Sequence, residues 1–211
     1  MGFQPQALWE APGLRNITGP TVRPGGLTLT REAADRCNLK PGARVLDIGC
    51  GTGAAVAFLT AEKRWRISGL DRSDILLKEG QATYAGLTLT QGDAQHLPLP
   101  GGCLDAVFME CVLSLAEMPA RVLAECRRVL VPGGRLALSD IYARNPLPPD
   151  GARLPVQTCL NGAVGKDRVK ERVLSAGFAI QSWADHSRLL QQLAGQLIFR
   201  YGSQAAFWSR F

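Results

Sequence analysis

Residues 45–53 read VLDIGCGTG. An apolar run suited to a buried strand leads into three glycines spaced two apart, Gly49, Gly51 and Gly53, and then into the helix-forming stretch AAVAFL. A strand that turns through glycines into a helix brings its backbone close to a ligand. It also presents the unpaired N–H groups of the helix start to negative charge. This unit therefore points to a layered α/β fold with a nucleotide-like ligand at the carboxyl end of the first strand. A nicotinamide fingerprint, GxGxxG, would need glycine at position 54, which is Ala54, so a different ligand is expected.

The pattern repeats along the chain. A helix is expected near 30–38 with Thr30 as N-cap, followed by the strand RVLDIG (44–49) and a helix over 53–62. Next come the strand WRISGLD (65–71), a helix over 73–85 and the strand LTLTQGD (87–93). The strand LDAVFMEC (104–111), a helix over 119–131 stopped by Pro132-Gly133-Gly134, and the strand RLALSDIYA (135–143) continue the series. A helix over 166–176 closed by Gly177, a sixth strand FAIQSWA and a C-terminal helix carrying Leu189, Leu190, Leu193 and Leu197 complete it, although QLIFRY (196–201) alone could also be an edge strand. Strands alternating with helices imply a doubly wound, mostly parallel sheet flanked by helices. With 211 residues, one domain over 30–211 is expected, preceded by an arm or lid over 1–29. The Pro-rich stretch at 143–155 is a second candidate lid.

Composition narrows the class. Hydrophobic residues at 46% and charged residues at 20% are globular values, with no long uncharged apolar run and no secretory leader pattern at the start. A soluble cytoplasmic protein is expected, without a membrane partner. In a reducing compartment the six cysteines read as free thiols, and they lack zinc-type CxxC spacing, so no metal is expected. The net charge of +6 comes from scattered Arg and Lys, without the basic runs that nucleic acid needs, so a small-molecule substrate is expected.

Asp71, ending the second strand beside Arg72, sits where a carboxylate can accept both ribose hydroxyls. Asp93, in Gly92-Asp93-Ala94 after the third strand, sits where an adenine edge could be met. D-x-G-x-G-x-G at 47–53, the acid at 71, GDA at 92–94 and VLVPGGRLALSD at 129–140 together resemble class I S-adenosylmethionine-dependent methyltransferases. The resemblance implies a Rossmann-like fold with S-adenosyl-L-methionine as cofactor. It places Asp47 and Gly49 beside the amino-acid end of the cofactor, Gly51 and Gly53 along its backbone approach, Asp71 at the ribose and Asp93 with Ala94 at the adenine. Cys50, inside the loop, reads as a small filler next to the cofactor.

The segment from CVLSLAEM through ARNPLPPD, with the later TCLNGAV, resembles arsenite methyltransferases within a broader UbiE-like group. RPGGLTLT and DHSRLL…RYGSQAAFW are more similar to a related group from anaerobic bacteria. The arsenite family binds trivalent arsenic through sulfur, and its matching positions here are Cys111 and Cys159. Soft thiolates suit such a centre. The residues alone leave Cys111 open between ligand and buried filler, Cys159 between ligand and packing thiol, and Glu110 between capping the cofactor's amino group and meeting solvent. Cys37 and Cys126 read as core thiols, His96 as a loop residue, and Asp185-His186 as a base pair or a helix cap. The reading is in-line methyl transfer to a small molecule, a soft metalloid or thiol. The alternatives are a quinone-like carbon or oxygen acceptor, or a non-catalytic cofactor-binding partner protein.

Overall fold

A computed structural model describes residues 7–145 and 156–209. Five strands form one parallel sheet: β1 (Arg44–Ile48), β2 (Arg66–Asp71), β3 (Thr88–Gln91), β4 (Leu104–Glu110) and β5 (Leu130–Ser139), in the order β3-β2-β1-β4-β5. The helices between them are α3 (Ala54–Lys63), α4 (Asp74–Thr83) and α5 (Pro119–Val129), preceded by α1 (Pro12–Thr18) and α2 (Gly26–Cys37).

The central strands read as continuous apolar runs because helices cover both their faces. Side chains alternate between two cores, as the two-residue period of a strand requires. Leu46, Ile48, Val107 and Met109 pack with Val122, Leu123 and Cys126 of α5. Val45, Ala106 and Phe108 pack on the other side with Ala34 and Cys37 of α2, Leu59 of α3, and Trp65. Burial pushes the Cys126 thiol up to about 12 and the Cys37 thiol up to about 11, so both are inert core thiols.

The chain leaves β3 at one edge and re-enters beside β1 as β4. The strand order reverses between β1 and β4, and a parallel α/β sheet opens its ligand crevice at such a point. A satellite core of Leu8, Leu14, Val156 and Phe207 joins the start of the chain to α7 (Ser187–Tyr201) and α8 (Gln204–Trp208), with Val22 and Leu197 packed against it. It forms a roof over that crevice.

Several expectations need correction. The first domain helix begins at Gly26, not near residue 30, because Gly25 at φ +81° starts the turn early; Thr30 lies inside the helix, fully buried, and is not its N-cap. The helix expected to reach residue 131 ends at Val129, ahead of Pro132-Gly133-Gly134, and the chain enters β5 directly. The strand expected over 135–143 stops at Ser139, where Asp140 accepts the N–H of Ile141. Tyr142–Ala143 (β6) pairs instead with Val164–Gly165 (β7) in a separate two-stranded sheet, ahead of α6 (Lys166–Ser175). The stretch FAIQSWA forms no strand: Phe178 packs on the core, but Ile180 and Trp183 stay over a third exposed and find no ladder partner. The C-terminal helix forms as expected. Of the two candidate lids, residues 1–6 and 146–155 lie outside the described residues.

Candidate active site

A cavity of about 530 Å³ opens at the carboxyl ends of β1 and β4, floored by the glycine loop and roofed by Leu190, Leu193 and Leu197 of α7. The loop takes its shape from Gly49, Gly51 and Gly53, at φ +73°, +55° and +80°, conformations that L side chains rarely adopt. At Gly49 a Cβ would also stand 2.2 Å from Val112 Cγ2. The N–H groups of Gly49 and Cys50 donate to Leu70 O, which pins the loop to β2.

Asp47, Gly49, Cys50, Gly51, Asp71 and Arg72 all line this cavity. So do Gly92, Asp93, Ala94, Glu110, Cys111 and Cys159. Gly53 is set back from it, as the residue that precedes α3. Asp71, which lines the cavity, accepts Gly51 N–H at 2.7 Å on one oxygen and Ser73 N–H at 2.9 Å on the other, so it braces the loop and the start of α4. Asp93 holds Gln95 N–H at 2.9 Å. The Cys50 side chain packs with Val56, Leu77 and Leu89, and burial pushes its thiol far up, so only its backbone faces a ligand.

Glu110 does not meet solvent. At the end of β4 it pairs with Arg23 at 2.7 Å and accepts from Thr30 at 3.2 Å, and both partners of the ion pair are 6% exposed. Arg23 also donates to Thr30. Beside them Asp47 is fully buried and held well above the carboxylate range, first by desolvation and then by the charge of Glu110.

Cys111 follows β4 directly and sits at φ +57°, a left-handed conformation that costs a residue with a side chain about 1–3 kcal/mol. Its N–H donates to Ser139 O at 2.7 Å. Cys159 opens a short 3-10 turn, Cys159–Gly162, that lies against the turn Leu113–Leu115. The approach is close enough that a Cβ on Gly162 would fall 1.8 Å from Ser114 O. The two thiols therefore meet, although neither segment is regular. Hydrogen bonding from Cys111 lowers the Cys159 thiol, whereas Cys111 is raised by that same bond and by burial. Within this coupled pair Cys159 is the sulfur shifted toward thiolate. Asp140 anchors the neighbouring turn, accepting Ser114 N–H at 2.8 Å and Ser114 O–H at 2.6 Å.

Arg23, Thr30 and Asp140 were missed at the sequence level. The available signal for Arg23 was that it is the one charged residue in NITGPTVRPGGLTLT. Asp185 and His186 stand apart from the cavity: Asp185 binds Tyr142 O–H at 2.9 Å and caps Ser187 N–H at 2.8 Å, so the helix-cap reading fits it. Among the described residues no group of three or more His, Cys, Asp or Glu could hold a metal ion, and no helix is long and apolar enough to cross a membrane.

A family model described as a methyltransferase domain matches residues 46–138. An O-methyltransferase from Pyrenophora dematioidea is 28% identical over 203 residues, covering 92% of this chain and 74% of that protein. An arsenite methyltransferase from Halobacterium salinarum is 31% identical over 150 residues, covering 66% of this chain and 38% of that protein. Among solved structures, the [4+2]-cyclase SpnF superposes with a TM-score of 0.70 at 27% identity, covering 85% of this chain and 70% of that one. Phosphoethanolamine N-methyltransferase 2 from Haemonchus contortus, in complex with S-adenosyl-L-methionine, shares the fold at a TM-score of 0.76 and 19% identity, covering 94% of this chain and 48% of that one. With its glycine loop at the β1–β4 switch point, the chain carries a methyltransferase domain over residues 46–138 on the class I S-adenosylmethionine-dependent methyltransferase fold.

Proposed function

We propose that the chain methylates a small, soft acceptor, trivalent arsenic or a related metalloid, held by Cys111 and Cys159. The observation that carries this reading is the pair of touching thiols, one of them biased toward thiolate, in the same cavity as the glycine loop. Arsenite would form two As–S bonds as two of its hydroxyls leave as water with the thiol protons. Cys159, the thiol shifted toward thiolate, would attack first; the Cys111 proton leaves with one hydroxyl as water, and the proton that Cys159 gave up to solvent leaves with the other. The left-handed turn at Cys111 holds both sulfurs on the cavity side of β4, which orients the acceptor's lone pair and restricts its motion. S-adenosylmethionine, when bound, would supply an electrophilic methyl group for in-line transfer. Asp71, Asp93 and the loop hold its nucleoside, and the apolar roof excludes water. The similarity to an arsenite methyltransferase supports the same reading.

A second reading has its own observation. The leucine-lined roof would equally cover an apolar carbon skeleton, and an O-methyltransferase relative spans most of the chain. Incubation with methyl-labelled S-adenosylmethionine, arsenite and excess thiol, beside a quinol or phenol panel, separates the two. Methylated arsenic is expected, lost in Cys111→Ser and Cys159→Ser while cofactor binding persists. Unchanged arsenic methylation in both variants, or label transfer to the phenolic acceptors alone, would overturn the metalloid reading.

A further inference from the structure

The two edges of the sheet are not alike. β3 closes one side with four residues, of which Thr88, Thr90 and Gln91 are exposed, and so short and polar an edge discourages pairing. β5 closes the other side, and its residues 135–139 read RLALS, with neither proline nor bulge. The Cys111 N–H donates to Ser139 O, so the main-chain groups of Ser139, Ala137 and Arg135 face β4, whereas those of Leu136 and Leu138 face outward. Among the described residues no strand pairs with β5 on that side. Unpaired main-chain groups on an apolar edge are a template for one more strand.

Residues 178–185 run along this edge as a wall. They leave Gly177, beside Arg127 at the end of α5, and reach Trp183, whose ring meets Tyr142 edge-on just beyond β5. Ile180 and Trp183 on the wall, with Leu174 of α6 before it, are 36%, 38% and 54% exposed, so an apolar strip flanks the open edge. The border is also basic. Lys166 and Lys170 lie over the Trp183 ring, at 5.4 and 5.3 Å from its centroid. Of the acids on α6 and the wall, Glu171 pairs with Arg168 and Asp185 with Arg144. Asp167 is left alone against Arg127, Arg135, Lys166 and Lys170, none of which has an ion pair among the described residues.

We propose that the β5 edge is a docking site for an extended acidic segment of a protein partner, which adds to the sheet as a sixth strand beside Leu136 and Leu138. Main-chain hydrogen bonds to these two residues give affinity, and the two-residue period of a strand gives selectivity. Side chains on one face of the added strand lie with Leu136 and Leu138, which pack toward α5, and should be apolar; those on the other face lie with Arg135 and should be acidic. Lys166 and Lys170 draw the same acidic segment to the wall. A second copy of the chain fits less well, because its β5 carries the same wall and the same cations, and two copies would meet wall against wall. The edge lies outside the cavity, so the proposal stands apart from the identity of the methyl acceptor.

Amide hydrogen exchange followed by NMR tests this on the wild-type protein, with acetyl-(Val-Glu)5-amide and acetyl-(Val-Lys)5-amide as probes. In the free protein the Leu136 and Leu138 amides should exchange fast while Ala137, bonded to β4, exchanges slowly. The acidic peptide is expected to slow Leu136 and Leu138 at least tenfold and to leave the β3 amides unchanged, and the basic peptide to do neither. Lys166→Glu combined with Lys170→Glu, both at the protein surface, should weaken the acidic peptide at least tenfold while S-adenosylhomocysteine affinity stays within threefold. Leu136 and Leu138 left unprotected at millimolar acidic peptide, or equal protection by the two peptides, would overturn the proposal. So would protection already present in the free protein that fades on dilution, because the edge would then belong to a second copy.

Discussion

The Cys159 thiol is lowered first by Cys111, and then by the Thr158 hydroxyl and its own backbone. The Cys111 S–H donates to the Cys159 sulfur, and that bond outweighs both burial and the charge of Asp140, which act the other way. Cys111→Ala removes the largest of the lowering effects and leaves the smaller Thr158 and backbone bonds against burial and Asp140, so the Cys159 thiol should move up and its alkylation at neutral pH should slow several-fold. Mass spectrometry of iodoacetamide adducts across a pH series reads this directly, and a Cys159 rate unchanged by the substitution would contradict it. Glu125 shows the same logic in a structural role. It accepts Leu97 N–H at 2.8 Å and a two-pronged contact from Arg128 at 2.7 Å, and the Arg128 guanidinium holds its carboxyl down at about 2. A depressed carboxylate contributes stability above the ordinary carboxylate range and loses it as pH falls through that range toward 2. Glu125→Gln should therefore cost roughly 1.5–3 kcal/mol at neutral pH, typical of a hydrogen bond to a charged group. Its melting temperature should also fall less steeply on acidification than the wild type's, as calorimetry between pH 6 and pH 3 would show.

The element that decides the acceptor site is the short 3-10 turn at Cys159–Gly162. Nothing periodic marks it; Thr158 caps it by accepting Leu160 N–H, and the absence of a side chain at Gly162 lets it settle on Ser114 O. Gly162→Ala should push the turn off its seat. The cost of such overpacking is about 1–3 kcal/mol, or roughly 2–12 °C in melting temperature for a chain of this size. A bifunctional arsenical that bridges Cys111 and Cys159 should bind at least tenfold more weakly to this variant, with S-adenosylhomocysteine affinity held within threefold. Loss of both affinities together would mean that the turn supports the whole crevice rather than the thiol pair. The glycine loop behaves differently, since its strand, its turn residues and its helix are contiguous in sequence.

Across the whole molecule, the central sheet and the roof are separate cores. Phe108 and Val107 anchor the first, and Phe207, Leu8, Leu14 and Val156 the second. Truncating a buried phenylalanine costs about 3–5 kcal/mol, and for Phe207→Ala that loss should fall on the roof. Hydrogen exchange should accelerate over residues 8–18 and 187–208 and remain slow in β1 and β4. Uniform acceleration would show that roof and sheet unfold as one unit. Cofactor affinity should fall with the roof, since its leucines close the cavity over the glycine loop.

The alternation of strands and helices, the glycine turn and the acids at the ends of β1 and β2 could be read from the chain because each depends on neighbours a few residues away. A period of two or of 3.6 residues, or a glycine between strand and helix, carries its meaning locally. The elements misread were those whose state depends on distant partners. FAIQSWA has the composition of a strand but pairs with no strand among the described residues, and Thr30 resembles a cap but is drawn into α2 to face Glu110. Folding alone brings Arg23 to Glu110 and Cys159 to Cys111. Those contacts close long loops through irregular segments, and their geometry is set by packing against the finished sheet, which no local pattern encodes.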